Sequence, residues 1–149
     1  GHFGSAYVPD LFLNRLDVCA HPDFADLVGV CVSSHLLIRR DGQLIQFVPF
    51  HERAWHAGES SFRGRPGCND FSVGIELEGT DHSGYDLKQY QQLVAVCRLL
   101  LATWQIPADH IVGHSDIAPG RKTDPGPQFD WAEFRAMLAA DPSACDSVR

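Results

Sequence analysis

The patterning of this chain predicts an α/β fold, a mixed β-sheet flanked by helices, and three stretches carry the prediction. Residues 27–50 hold two runs rich in Val, Ile, Leu and Phe on either side of Asp41-Gly42, a dipeptide that tolerates the positive φ of a tight two-residue turn. Residues 73–78, VGIELE, alternate apolar with acidic side chains, the period of a strand with one covered face. Residues 87–104 place apolar side chains at i, i+3, i+4 and i+7, the stripe of an amphipathic helix. With neither an internal repeat nor a linker, these elements indicate one domain over residues 1–149, its helices packed on the sheet.

Composition narrows the function classes. At 149 residues, 44% hydrophobic and 21% charged, the chain can bury a sizeable core, and no apolar run approaches the roughly 20 residues of a membrane span. A net charge of −7 argues against a nucleic-acid partner, which needs a basic face. Five cysteines (Cys19, Cys31, Cys68, Cys97, Cys145) are odd in number and lack CxxC pairing, so neither a disulfide framework nor a thiolate zinc cluster is indicated; a reducing compartment fits better. No signal-peptide pattern stands at the start.

Taken in order, residues 9–16 allow a short helix after a proline start, and His21-Pro22 marks a turn. The hairpin strands are expected at about 30–39 and 43–49, with His35 facing away from Leu36 and Ile38 as a hydrogen-bonded structural histidine. The segment RAWHAG follows, then a Ser/Arg/Gly/Pro-rich loop to Gly67. There Trp55 and His56 fit two readings equally, the rim of a substrate groove or a cap on the core. On 73–78, Val73, Ile75 and Leu77 share one face while Glu76 and Glu78 share the other. A carboxylate held on a strand makes a good general base, and a pair of solvated strand carboxylates fits the same pattern. For helix 87–104, Asp86 and Gln89 form a capping box, Trp104 belongs to the buried stripe, and Pro107 lies beyond the end. A second helix starts after Asp130, with Glu133 completing another box and Trp131, Phe134 and Leu138 facing inward.

Residues 110–127, HIVGHSDIAPGRKTDPGP, read as an irregular loop between an apolar strand-like lead-in and a Pro/Gly-rich exit. An imidazole (His114) and a carboxylate (Asp124) are ordinary zinc ligands, and the Pro119-Gly120 turn could fold the loop so that both face one ion. Lys122, two positions before Asp124, shares its face in an extended segment, so its ammonium would stand where an oxyanion develops. This spacing matches no standard zinc pattern. Two ligands are too few, and hydrogen-bonding roles fit these residues as well.

Four stretches, SSHLLIRRDGQLIQFVPF, RAWHAG, CNDFSVGIELEGTD and GHSDIAPGRKTDPGPQFDW, together resemble the zinc-dependent N-acetylmuramoyl-L-alanine amidases of the AmpD type, relatives of phage amidase lysozymes and peptidoglycan-recognition proteins. The likeness runs from about residue 33 to 131 in the family's order. It implies the amidase fold, zinc held by His114 and Asp124, Glu76 activating or orienting the attacking water, and Lys122 stabilising the tetrahedral oxyanion. It also implies that Trp55 and His56 border the groove for sugar and stem peptide. The implied activity is cleavage of the amide between N-acetylmuramic acid, in its 1,6-anhydro form, and L-alanine of peptidoglycan fragments (muropeptides), by a cytoplasmic monomer in cell-wall recycling. One departure stands out: the family's first zinc ligand is a histidine ending an N-terminal strand, and this sequence begins on the far side of the loop that follows it. His2 falls several positions too late to replace it, so zinc affinity is expected to fall. A non-catalytic peptidoglycan-binding module of the same fold is the alternative, favoured by that missing histidine and disfavoured by Glu76, Lys122 and Asp124 together.

Overall fold

A computed structural model describes residues 7–80 and 82–141. Its centre is a three-stranded mixed sheet in the order β2-β1-β5, where β1 is Leu36–Ile38, β2 is Leu44–Gln46 and β5 is Ile75–Leu77. β1 pairs antiparallel with β2 and parallel with β5, Leu37 opposite Ile45 on one side and opposite Glu76 on the other. The predicted strands are therefore real but far shorter than expected. The hairpin also turns differently: Arg39 N–H donates to Gln43 O at 2.9 Å, three residues make the turn, and of these Gly42 alone has positive φ (86°). That is the three-residue loop with glycine in the left-handed position.

The second hairpin, β3 (Ser61–Phe62) with β4 (Arg65–Pro66), falls in the stretch read as loop. Its turn residues Arg63 and Gly64 both have positive φ (49° and 83°), the geometry a two-residue hairpin needs and one that arginine seldom signals. A short helix α1 (Val8–Phe12) stops earlier than the sequence suggests. Between β5 and the C-terminal segment lies α2, Leu87–Trp104, with the predicted bounds.

The helix starts where it does because Gln89 Oε1 accepts from Asp86 N–H at 3.1 Å, one half of the capping box. Gln89 Nε2 then donates to Glu78 O (2.9 Å) and Ile38 O (3.3 Å), so a fully buried amide joins the helix start to two strand ends. One face of the sheet meets α2. Ile38 packs with Tyr90, Leu93, Val94 and Cys97, and α4 (Trp131–Ala139) closes that core with Phe134, which is fully buried. Asp130 caps α4 by accepting from Glu133 N–H at 2.8 Å. Trp104 departs from expectation: at 50% exposed it is not core. It stands on the last turn of α2, where Phe50 meets its ring edge at 5.6 Å and the stripe has run past the short sheet.

His35 is the structural histidine expected of it. Buried on the opposite face from Leu36 and Ile38, it accepts from Gly74 N–H through Nδ1 (3.0 Å) and meets the Glu52 carbonyl through Nε2 (3.0 Å). Cys19, Cys31, Cys68 and Cys97 are free thiols, and Cys145 lies outside the described residues.

Gln89→Leu keeps the helix-forming character but removes the Gln89 donor from the Glu78 carbonyl, while Ile38 O keeps the Glu78 N–H at 2.9 Å. It should cost about 1–3 kcal/mol, read as a lower urea midpoint at unchanged m-value.

Candidate active site

Parallel pairing of β1 with β5 sets the site. Because Leu37 stands opposite Glu76, the side chains of His35, Leu37 and Glu76 share one sheet face with the open side of Gly74, away from α2. His56 lies over Gly74 on that face: a Cβ there would come within 2.4 Å of the imidazole Cγ, so only glycine lets the ring sit down on the strand. Asn69, buried between the loops, accepts from both His56 N–H (3.1 Å) and Ala57 N–H (2.8 Å) and holds the RAWHAG turn in place.

The segment 110–127 is not irregular throughout. His114–Ile117 is a single helical turn, α3, started by Asp116 accepting from Gly113 N–H at 2.7 Å. The chain then reverses through Gly120 (φ 78°) and comes back alongside itself, Ser115 N–H donating to Asp124 O at 3.0 Å. This reversal brings His114 Nδ1 to 3.1 Å from Asp124 Oδ2, as the turn at Pro119-Gly120 predicts. Gly113 is required by the crossing, since a Cβ there would lie 2.7 Å from Pro125 Cδ.

Glu76, His56, His114, Lys122 and Asp124 are among the residues lining an open cavity that extends across much of the molecule. Burial pushes Glu76 up to about 7, with the Asp124 charge adding to the rise and the His114 and Lys122 charges opposing it. Its carboxylate is thus electrically in contact with all three loop residues. His114 is raised by its hydrogen bond to Asp124, against the effect of burial. For Asp124 burial acts upward, but the His114 hydrogen bond and the His114 and Lys122 charges outweigh it and hold the carboxyl below its usual range.

Trp55 is the sequence-predicted residue that the structure does not bring into that cavity. It is 56% exposed, with the Arg53 guanidinium 3.9 Å above its ring and Arg53 itself held by Asp70 at 2.9 Å. His56 does reach the cavity. Burial lowers its pKa to about 4, with the nearby His35 charge contributing, and its Nε2 is buried without a hydrogen-bond partner. Asn69, and Arg121, whose guanidinium donates to the Ala57 and Glu59 carbonyls at 2.6 Å, escaped the sequence reading, because these partners lie 12 or more residues away and nothing local marks them.

Two zinc donors bound to one ion at tetrahedral angles lie about 3.3 Å apart. The 3.1 Å between His114 Nδ1 and Asp124 Oδ2 fits two corners of such a site, and the chemistry of an imidazole and a carboxylate suits the metal. A catalytic zinc takes three protein ligands. Among the described residues no group of three His, Cys, Asp or Glu side chains could hold a metal, and His2 lies outside them.

A carboxylate on a strand, a His/Asp pair and a lysine within electrostatic reach of it are groups able to exchange protons and stabilise charge. The sequence pattern of the N-acetylmuramoyl-L-alanine amidase family matches residues 8–127, and the chain belongs to that family. It is 56% identical over 139 residues to the 1,6-anhydro-N-acetylmuramyl-L-alanine amidase AmpD of Salmonella typhimurium (strain SL1344), covering 93% of this chain and 74% of that protein. A crystal structure of a selenomethionine AmpD derivative superposes with a TM-score of 0.88 at 55% identity, over 93% of this chain and 77% of that one. The Escherichia coli amidase AmiD, solved with the substrate anhydro-N-acetylmuramic acid-L-Ala-D-γ-Glu-L-Lys, gives 0.66 at 36% identity, over 71% of this chain and 48% of that one.

The depressed basicity of His56 has a sign that can be checked. Between about 6.5 and about 4 the unfolded chain binds the proton that folded His56 refuses, so this residue's contribution to stability is lost as pH falls through that window. The stability gap between wild type and His56→Asn should narrow from pH 7 to pH 4.5, measured by urea unfolding at both.

Proposed function

We propose that this chain hydrolyses the amide between 1,6-anhydro-N-acetylmuramic acid and the L-alanine of a stem peptide, acting on soluble peptidoglycan fragments in cell-wall recycling, as a monomer in the cytoplasm. The observation that carries the proposal is the 3.1 Å pairing of His114 with Asp124, with Glu76 and Lys122 near enough to act on the same charges, in a chain of the amidase family. The free thiols suit a reducing compartment, and among the described residues no helix is long and apolar enough to cross a membrane.

His114 through Nδ1 and Asp124 through Oδ2 would hold a zinc ion, which when bound polarises the scissile carbonyl and makes water more acidic. Glu76 takes the proton of the attacking water and returns it to the leaving nitrogen. Burial gives it an affinity for protons suited to both steps near neutral pH. Lys122 puts a positive charge beside Asp124, where the carbonyl oxygen becomes an oxyanion. His56 borders the groove on the β5 side and Trp55 offers an exposed ring next to it in the chain for the sugar or peptide. Since water attacks the carbonyl directly, no side chain forms a covalent bond to substrate.

A second reading is a peptidoglycan-binding module without catalysis, since among the described residues no group of three His, Cys, Asp or Glu side chains could hold a metal. Turnover measured together with bound zinc separates the two. For the hydrolase, Glu76→Gln should lower kcat by about 10²–10⁴ with KM little changed, and Lys122→Ala by about 10²–10³, followed as release of the L-alanine-headed peptide by chromatography. A zinc-loaded chain that binds the muropeptide and leaves it intact would establish the binding module instead.

A further inference from the structure

Arg65 stands on β4 of the second hairpin, opposite Phe62 in register. Paired residues project to one side of a hairpin, so Arg65 shares a face with Phe62, whose ring meets the His110 imidazole nearly at right angles at 5.1 Å. The hairpin is fixed at its base by Ser60, where the carbonyl accepts from Gly67 N–H at 2.9 Å and Oγ accepts from Cys68 N–H at 3.2 Å. Its β3 strand packs against α3, the turn that carries His114. The Arg65 guanidinium lies 3.9 Å over the ring of half-buried Phe71. Phe71 follows Asn69 and Asp70 in the turn that leads into β5, and at most about 18 Å of backbone separates its Cα from that of Glu76.

Every other described arginine is committed, five to a carboxylate and three to main-chain carbonyls. Arg65 has no partner of either kind among the described residues. Asp70, the carboxylate next to Phe71, is taken by Arg53 at 2.9 Å. In a chain of net charge −7 an exposed guanidinium left unpaired is the exception. Stacking on Phe71 fixes the guanidinium plane, and its N–H groups lie along the edges of that plane, where a carboxylate is taken in a two-pronged bond. The ring thereby removes part of the ordering cost that a free arginine side chain meets on binding.

We propose that Arg65 is a specificity-determining residue that binds a carboxylate of the stem peptide. The identity of the ligand rests on the proposed function. There the scissile amide uses the amino group of the first peptide residue, so every free carboxylate lies on the side away from the bond cleaved. A short peptide that runs from Glu76 past His56 and the 68–71 turn spans the distance to Arg65, which reads the charge without touching the reacting atoms.

The probe is anhydro-N-acetylmuramic acid-L-Ala-D-γ-Glu-L-Lys, which has two carboxylates, the glutamate α-carboxylate left free by the γ linkage and the C-terminal one. Each is also replaced by its amide in a separate ligand, and binding to the full chain is measured by isothermal titration calorimetry. Wild type should bind the parent about tenfold more tightly than one of the two amides, and Arg65→Gln should lose about tenfold for the parent and nothing for that same amide. Arg65→Lys should recover part of the loss, because it keeps the charge without the fork. Arg63→Gln, which removes an equal charge from the same hairpin, should follow wild type. With zinc and turnover, Arg65→Gln should raise KM by about the same factor at unchanged kcat. Equal weakening of the parent and both amides by Arg65→Gln would overturn the proposal, as would no weakening at all, an equal loss in Arg63→Gln, or a wild type that binds none of the three. A zinc-loaded wild type that shows the Arg65-dependent preference yet leaves the muropeptide intact would sink the hydrolase and keep this assignment. Cleavage of parent and amides with equal KM would do the reverse.

Discussion

The parallel register between β1 and β5 is the constraint on which the rest of the molecule depends. Leu37 opposite Glu76 sends Ile75 and Leu77 toward the α2 core and the glutamate toward the loops. A slip of one residue would exchange those faces, bury the carboxylate against Leu93 and Cys97, and expose the apolar pair. The register is secured on both sides of the sheet. Gln89 ties Ile38 and Glu78 from α2, and His35 takes the Gly74 N–H from the other face. Few strand residues are needed when their ends are pinned by buried side chains.

The loop that faces Glu76 is shaped by a second kind of contact, backbone against backbone. Gly113 lets Pro125 approach, Ser115 N–H reaches the Asp124 carbonyl, and the two limbs lie close enough for His114 and Asp124 to meet. Across the cavity the RAWHAG turn is organised by the same economy of means: Gly74 makes room for the His56 ring and Asn69 gathers two N–H groups. Glycines set the distances and buried amides set the directions. The site is rigid because each functional side chain extends from backbone that other groups already hold.

The electrostatics follow from that geometry. Glu76, half-shielded and near a second carboxylate, binds its proton more tightly than a surface glutamate, while Asp124 keeps its charge because His114 and Lys122 are beside it. Two carboxylates in one cavity thus acquire different tasks, one to exchange protons and the other to remain an anion. His56 is pushed the opposite way from His114, since burial acts on both but only His114 has a carboxylate partner.

Local patterning by itself determined the elements whose signals are local: α2 with its Asp86 and Gln89 cap, the start of α4 at Asp130, the alternation that put Glu76 opposite Ile75 and Leu77, and the reversal at Pro119-Gly120. Family motifs in the sequence pointed to Glu76, His114, Lys122 and Asp124. Strand lengths were overestimated because β-branched and apolar runs continue past the residues that find a partner, and Trp104 was misplaced because periodicity does not report where the sheet under a helix ends. The Arg63-Gly64 hairpin, the Asn69 bracket and the Arg121 clamp were left to tertiary structure. Each depends on carbonyls and amides brought together from 12 to 64 residues apart or on a φ that arginine adopts only under such constraint, and no neighbouring residue in the chain records either.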